Sequence, residues 1–308
     1  MKAYGRIDEL IGNTPLVRLS RIEEKFGLSA KIFAKLEGQN PTGSAKARVA
    51  LAIIDDAEEK GLLKPGSVII EPTSGNTGIG IAAIASVRGY RAVIVMPDTM
   101  SKERRTLMTA YGAELVLTDG ALGMAGAIAE AERIKEKTPG AIIAGQFTNP
   151  ENPLAHKRTT GPEIYRDTDG EVDVFVAGIG TGGTISGVGE YLKEMKPDVK
   201  VVGVEPASSA VISGEKPGAH KIQGIGAGFI PQTLNLKIID RVHKIEDGEA
   251  MEAARQLAHS EAVLAGISSG AALAGAIKEA KLPENEGKNI VVLLPDTGEI
   301  YLSSGLFD

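Results

Sequence analysis

Short β-branched runs alternate with segments of helical period along most of this chain. Strands are predicted at Val68–Glu71, Ala92–Met96, Glu114–Leu117, Ala141–Ala144, Val172–Ala177, Lys200–Val204 and Asn289–Leu294. Helical period separates them. In Lys46–Lys60 the apolar positions Val49, Ala50, Ile53, Ile54 and Ala57 fall on one face, and Gly61 takes the C′ position. Asp247–Ser260 and Ser268–Lys281 read the same way. Strands that are apolar throughout and alternate with helices indicate parallel sheet covered on both faces. The fold class is α/β. One such sheet rarely needs all these strands plus a long polar excursion between them. Gly145–Asp169 contains QFTNPENP and reads as a crossing between two sheets, with a boundary near residue 150. Periodicity leaves the packing of the first forty residues open.

Composition narrows the partners. At 308 residues the chain can bury one or two cores, and 43% hydrophobic with 24% charged is ordinary for a globular protein. A net charge of -6, with no long Lys/Arg run, argues against nucleic acid. The absence of cysteine excludes disulfides, thiolate metal sites and a cysteine nucleophile. The start, MKAYGRIDELIGNTPL, shows no apolar signal core, and runs such as VIIEP and AVIVMP are too short for a bilayer. A cytoplasmic protein without membrane contact is expected. His156, His220, His243 and His259 lack ligand spacing, so no metal site is expected and they read as structural or exposed. Charge runs at Lys102–Arg105 and Glu130–Lys137 read as solvated helix faces.

Four glycine- or hydroxyl-rich loops fall at strand-to-helix junctions, where open α/β sheets bind ligands: Asn40–Ser44, Thr73–Gly78, Gly178–Thr184 and Gly266–Gly270. Each alone also reads as a tight turn. In GIGTGGT, residues 178–184, the glycines let backbone N–H groups approach an anion at the start of a helix, which suggests a phosphate site. The run also matches G-x-G-x-x-G at Gly178, Gly180 and Gly183, with Glu205 ending the next strand. A dinucleotide-binding dehydrogenase is therefore a rival. Against it, the motif is not in the first strand–helix unit, and no histidine pair suggests hydride-transfer chemistry. Lys46 follows NPTGSA at a helix start, with Arg48 close by and small Ala45 and Ala47 flanking it. Desolvation and a neighbouring cation would lower its pKa and make it a Schiff-base nucleophile, although most lysines are solvated surface amines. TSGNTG, residues 73–78, offers hydroxyls, an amide and a helix N-terminus for a carboxylate, or equally an N-cap and turn.

The motifs IGNTPLVRL (11–19), QNPTGSAK (39–46), EPTSGNTG (71–78) and TNPENP (148–153) appear in order with four more. These are TTGPEI (159–164), GIGTGGTISG (178–187), QGIGAGFIP (223–231) and GISSGAA (266–272). Together they make the chain resemble, over nearly its whole length, the cysteine synthase (O-acetylserine sulfhydrylase) family of fold-type II pyridoxal-phosphate enzymes. The resemblance implies that Lys46 carries pyridoxal 5′-phosphate as a Schiff base and later accepts the Cα proton. It implies that Asn76 bonds the phenolic oxygen and that Gly180, Thr181, Gly182, Gly183 and Thr184 hold the phosphate. Ser268 would face the pyridine nitrogen. Thr73, Ser74, Thr77 and Gln146 would grip the substrate carboxylate, and Gly224 would line the closing side of the cleft. Two doubly wound, mostly parallel sheets are implied, with 1–45 plus 149–308 as a larger domain and 46–148 as a smaller mobile one. A homodimer and contact with a serine acetyltransferase C-terminal tail are further implications.

A hydroxyl at Ser268 does not enforce a charge on the pyridine nitrogen, which favours loss of a β-leaving group over other fates. The reaction implied is β-replacement through an aminoacrylate, making L-cysteine from O-acetyl-L-serine and sulfide. Alternatives are a cystathionine β-synthase-like or serine- or cysteine-using enzyme, then a serine/threonine deaminase. Deaminases of this fold typically place His where Thr77 follows Asn76. A non-catalytic binding module would be favoured if Lys46 were absent. Two positions depart from the family: Ala47 where Asp is usual, and Thr297-Gly298-Glu299-Ile300-Tyr301 where Ser-Gly-Glu-Arg-Tyr is frequent. Neither removes a group implied to bond the cofactor.

Overall fold

A computed structural model describes residues 3–308; Met1 and Lys2, which begin the expected larger domain, lie outside the described residues. In chain order the elements begin β1 (Leu16–Arg18), α1 (Ser20–Phe26), β2 (Lys31–Leu36), α2 (Lys46–Glu59) and β3 (Val68–Pro72). Next come α3 (Asn76–Arg88), β4 (Arg91–Pro97), α4 (Lys102–Ala110), β5 (Glu114–Thr118), α5 (Gly123–Lys137) and β6 (Ile142–Ile143). After α6 (Glu151–Ala155) a π-helical segment, His156–Thr160, runs into α7 (Gly161–Asp167). The remainder is β7 (Val174–Gly178), α8 (Gly183–Met195), β8 (Lys200–Pro206), β9 (Arg241–Ile245), α9 (Asp247–Glu261), α10 (Ile267–Ala280) and β10 (Asn289–Leu294). Each of the seven strands expected from the sequence is present. β1, β2 and β9 are additional.

The chain divides into two units, one of Met1–Ile11 with Asn40–Asn152 and one of Gly12–Gln39 with Pro153–Asp308. Residues 12–39 therefore pack with the larger unit and the segment ending at Ile11 with the smaller. The attachment of that segment is electrostatic: Arg88, in the last turn of α3, donates to Asp8 at 2.8 Å. The same guanidinium pairs with Asp55 at 2.6 Å and Glu58 at 2.8 Å on α2, and Arg6 also reaches Asp8. Burial opposes ionisation of Asp8, but the hydrogen bonds from Arg88 and Arg6 outweigh it and lower its pKa.

The smaller unit holds a four-stranded parallel sheet in the order β5-β4-β3-β6. Alternate residues divide its two faces, as the two-residue strand period requires. Ile69, Ile94 and Met96 pack with α2 and α3, while Val68, Ile70, Val93 and Val95 pack with Ala127 and Ala131 of α5. The larger unit holds a six-stranded sheet, β1-β2-β10-β7-β8-β9, parallel except for antiparallel β1. Val174, Val176, Val202, Val204, Ile290 and Val292 face α9 and α10; Phe175, Val201, Val291 and Leu293 face α7 and α8. Both sheets are doubly wound.

Helix α2 ends as its sequence dictates, with Lys60 as C-cap and Gly61 at φ +67°. Of the expected charged faces, Lys102 and Glu103 are exposed, but Arg104 is buried, because its turn of α4 faces the unit's interior beside Met108.

Candidate active site

In each sheet the strand order reverses once beside a loop that the sequence singles out. Chain order runs β3, β4, β5 in one direction, and β6 then lies on the other side of β3. The loops leaving β3 and β6 therefore emerge together at a topological switch point, where open α/β sheets bind ligands. Thr73 and Ser74 lie on the first of these loops, Asn76 opens α3 directly after it, and Gln146 lies on the second. Thr77, in the first turn of α3, donates to Gln146 Oε1 at 2.6 Å. The larger sheet repeats the pattern. Strands β7, β8 and β9 run one way, β10 lies on the other side of β7, and the loop leaving β7 is the glycine run 178–184.

Lys46 opens α2, half-buried, with its backbone against α3. The close approach depends on Gly80, where a Cβ would come within 3.1 Å of the Lys46 carbonyl oxygen and 3.2 Å of Ala50 Cβ. Gly78 likewise lets α3 settle against Met108 and Ile94. Lys46 is thereby held one helical turn from Asn76, the first residue of α3. Arg48, expected beside Lys46, is 3% exposed and two positions further along the same helix. Residues so spaced point about 200° apart, so its guanidinium leaves the helix on another face. Ala47 is fully buried, so the family's usual carboxylate would have no solvent there.

In the larger unit, Gly182 is the N-cap of α8 at φ +81° and Gly183 is its first residue. Gly180 approaches the segment around Gly224 so closely that a Cβ on it would lie 2.3 Å from the Gly224 carbonyl oxygen. The loop is also pinned by side chains. Thr233 Oγ1 donates to the Thr181 carbonyl at 2.6 Å, and Gly183 N–H donates to Thr181 Oγ1 at 3.4 Å. Ser268 is buried in the first turn of α10, and its Oγ lies 3.4 Å from where a Cβ on Gly224 would be. Gly180, Gly224 and Ser268 are thus brought together.

Helices α3, α8 and α10 share a feature. Each has a glycine N-cap, no side-chain cap and no acidic residue in its first turn. By contrast Ser101 caps α4, and Asp247 and Glu249 occupy the first turn of α9. The first-turn N–H groups and positive end of α8 thus fit a phosphate. Within the same unit, the glycines of that loop and the buried hydroxyl of Ser268 suit the polar groups of pyridoxal phosphate. Among the described residues no cluster of His, Asp and Glu could hold a metal ion. No described helix is long and apolar enough to cross a membrane.

Two residues escaped the sequence reading. His156, 1% exposed in the π-helical segment, contacts Thr160 Oγ1 at 2.9 Å through Nδ1 and Thr184 Oγ1 at 3.2 Å through Nε2. It is structural, and what it supports is the first turn of α8 after the glycine run. The second is Glu71, a buried carboxylate at the end of β3 that accepts from Gly145 N–H at 2.8 Å. Its signal was visible as a lone acid closing the apolar run VIIEP.

The chain is 51% identical over 307 residues to a cysteine synthase of Staphylococcus aureus, covering 99% of this chain and 98% of that one. The solved cysteine synthase of Entamoeba histolytica superposes with a TM-score of 0.96 at 48% identity, covering 99% of this chain and 91% of that one. A hydrogen sulfide-producing enzyme of Fusobacterium nucleatum superposes at 0.94 with 45% identity, covering 98% and 99%. The family model described as pyridoxal-phosphate dependent enzyme matches residues 7–296. The fold, the switch-point loops and these matches agree: the chain belongs to the pyridoxal-phosphate-dependent enzyme family, and its cofactor is pyridoxal 5′-phosphate.

Proposed function

We propose that this enzyme makes L-cysteine from O-acetyl-L-serine and sulfide by β-replacement. The observation that carries the reading is full-length identity of 51% to a cysteine synthase, in a chain that keeps the switch-point loops. When bound, pyridoxal phosphate withdraws electrons from the substrate α-carbon and so eases loss of a β-substituent. The chain's own groups do the rest. Lys46 Nζ holds the cofactor covalently and then takes the Cα proton. The Asn76 amide donates to the phenolic oxygen. Backbone N–H groups of Gly180, Thr181, Gly182, Gly183 and Thr184 hold the phosphate, helped by the Thr181 and Thr184 hydroxyls. Ser268 offers the pyridine nitrogen a hydroxyl rather than a carboxylate, so the ring is not compelled to stay protonated. Thr73, Ser74, Thr77 and Gln146 orient the substrate carboxylate, and Gly224 lines the substrate site. The unit that contains residues 46–148 acts as the smaller, mobile domain, and the unit that contains residues 153–308 as the larger. The enzyme works as a cytoplasmic homodimer, and a serine acetyltransferase C-terminal tail is its expected protein partner.

A second reading is release of sulfide from cysteine, supported by the 45% identity to the hydrogen sulfide-producing enzyme. The test is direct. Purified enzyme given O-acetylserine and sulfide should form cysteine and acetate, and borohydride should fix the cofactor to the Lys46 peptide. Faster turnover of cysteine than of O-acetylserine would install the second reading. A colourless protein that binds NAD would refute both.

A further inference from the structure

Glu71 is 1% exposed, and its charge is met by N–H groups rather than by a cation. Gly145 N–H donates to Oε2 at 2.8 Å and Gln146 N–H approaches Oε1 at 3.4 Å. Gln146 Oε1 in turn accepts from Thr77 Oγ1 at 2.6 Å. Glu71 thus holds the Gln146 backbone, and the acceptor end of the Gln146 side chain holds the Thr77 hydroxyl. Asn152 Nδ2, donating to the Gln146 carbonyl at 2.7 Å, holds the backbone of the same residue. Burial pushes the Glu71 pKa up to about 7, with the Gly145 and Gln146 N–H groups opposing the rise. An apolar residue closing the run VII would have avoided that desolvation.

We propose that Glu71 is a positioning residue for the substrate: by holding the Gly145 and Gln146 backbone it places the Gln146 side chain, and through it the Thr77 hydroxyl, before the substrate carboxylate arrives. This rests on the reading of Thr77 and Gln146 as the carboxylate grip. Both loops of the switch point are tied to one carboxylate at the end of β3, so binding need not order them. In Glu71→Gln the Gly145 N–H keeps an acceptor. The second oxygen becomes an NH2 group facing the Gln146 backbone N–H, and the loop that carries Gln146 loses one of its two anchors.

The test compares Glu71→Gln, Gln146→Ala and the double variant as holoenzymes. Glu71→Gln should raise KM for O-acetylserine roughly tenfold or more while kcat changes less than about threefold, the pattern of lost substrate binding. The absorbance of bound cofactor should match wild type. Gln146→Ala should do the same, and the double variant should be no worse than Gln146→Ala alone, because Glu71 acts through Gln146. If Gln146→Ala leaves KM unchanged, the carboxylate-grip reading fails and the proposal with it. If Gln146→Ala raises KM but Glu71→Gln does not, or their effects multiply in the double variant, the grip stands and the role of Glu71 is refuted. Should Glu71→Gln fail to fold, Glu71→Asp keeps the charge and withdraws the carboxylate by about 1.5 Å. It should also raise KM, and an unchanged KM would overturn the proposal.

Discussion

Gly182→Ala tests whether the loop after β7 is built to a fixed backbone geometry. Gly182 holds φ +81°, and an alanine there enters the left-handed region at a cost of about 1–2 kcal/mol. Its Cβ would also meet Leu234 Cβ at 2.6 Å, Leu234 Cδ1 at 2.8 Å and Leu234 Cα at 2.9 Å. A Cα and a Cβ cannot rotate away as a side-chain tip can, so backbone must move, typically at about 1–3 kcal/mol. The sum is a destabilisation of about 2–5 kcal/mol. The neighbouring Thr233 anchors the Thr181 carbonyl, so displacement of Leu234 also drags the loop proposed to hold the phosphate. If about a third of the strain is relieved by the loop leaving its binding geometry, cofactor affinity falls roughly tenfold. Urea unfolding of the cofactor-free protein reads the first quantity, and spectrophotometric cofactor titration reads the second. Gly248→Ala is the control. A Cβ on that helical glycine meets nothing within 4 Å, and the change should stabilise by about 0.5–1 kcal/mol. If Gly182→Ala unfolds within about 0.5 kcal/mol of wild type and binds cofactor equally well, the strain argument is refuted.

Lys46→Ala should still bind the cofactor through the glycine loop and Asn76, while turnover falls about 10²–10⁴-fold for want of a base. Acetate release near the wild-type rate would make Lys46 a bystander. Lys35 is fully buried, 2.8 Å from Glu163, 3.3 Å from Asp167 and 2.6 Å from the Thr14 carbonyl oxygen. Lys35→Met takes the cation from a buried carboxylate and should cost about 3–5 kcal/mol, read by urea unfolding; less than about 1 kcal/mol would show the pair to be dispensable. Burial of Glu279 raises its pKa, but hydrogen bonds from His243 and Arg241 outweigh it and leave the pKa below the ordinary 4.5. A lowered folded pKa gives stability that is present above 4.5 and lost as pH falls through the folded value. The urea midpoint should therefore drop on acidification below about pH 4.5, and less steeply in Glu279→Gln.

The apolar runs and helical periods were enough to place the seven expected strands and helices α2, α9 and α10, because those elements bury their faces against near neighbours in a uniform pattern. Gly61 marked the end of α2 for the same local reason. β2, β1 and β9 were not legible. KIFAKL carries Lys35 at a buried position, and that charge is tolerated only because Glu163 and Asp167 arrive from more than 120 residues away in the chain. RVHKI is half polar, and its His243 and Arg241 both find their partner in Glu279 on α10. The glycine loops announced anion-binding backbone locally, since φ freedom and helix starts are properties of short segments. What they stand beside was decided by strand order. The reversal at β3/β6 brings Thr77 to Gln146, the reversal at β7/β10 fixes where the glycine run emerges, and the packing around them brings Gly224 to Gly180. Glu71 and His156 were present in the sequence as one acid and one histidine, and only the packing of distant segments around them gave each its partners. Local pattern fixes which residues can form an element, but burial of charge and strand adjacency depend on contacts that the chain makes only once it has folded.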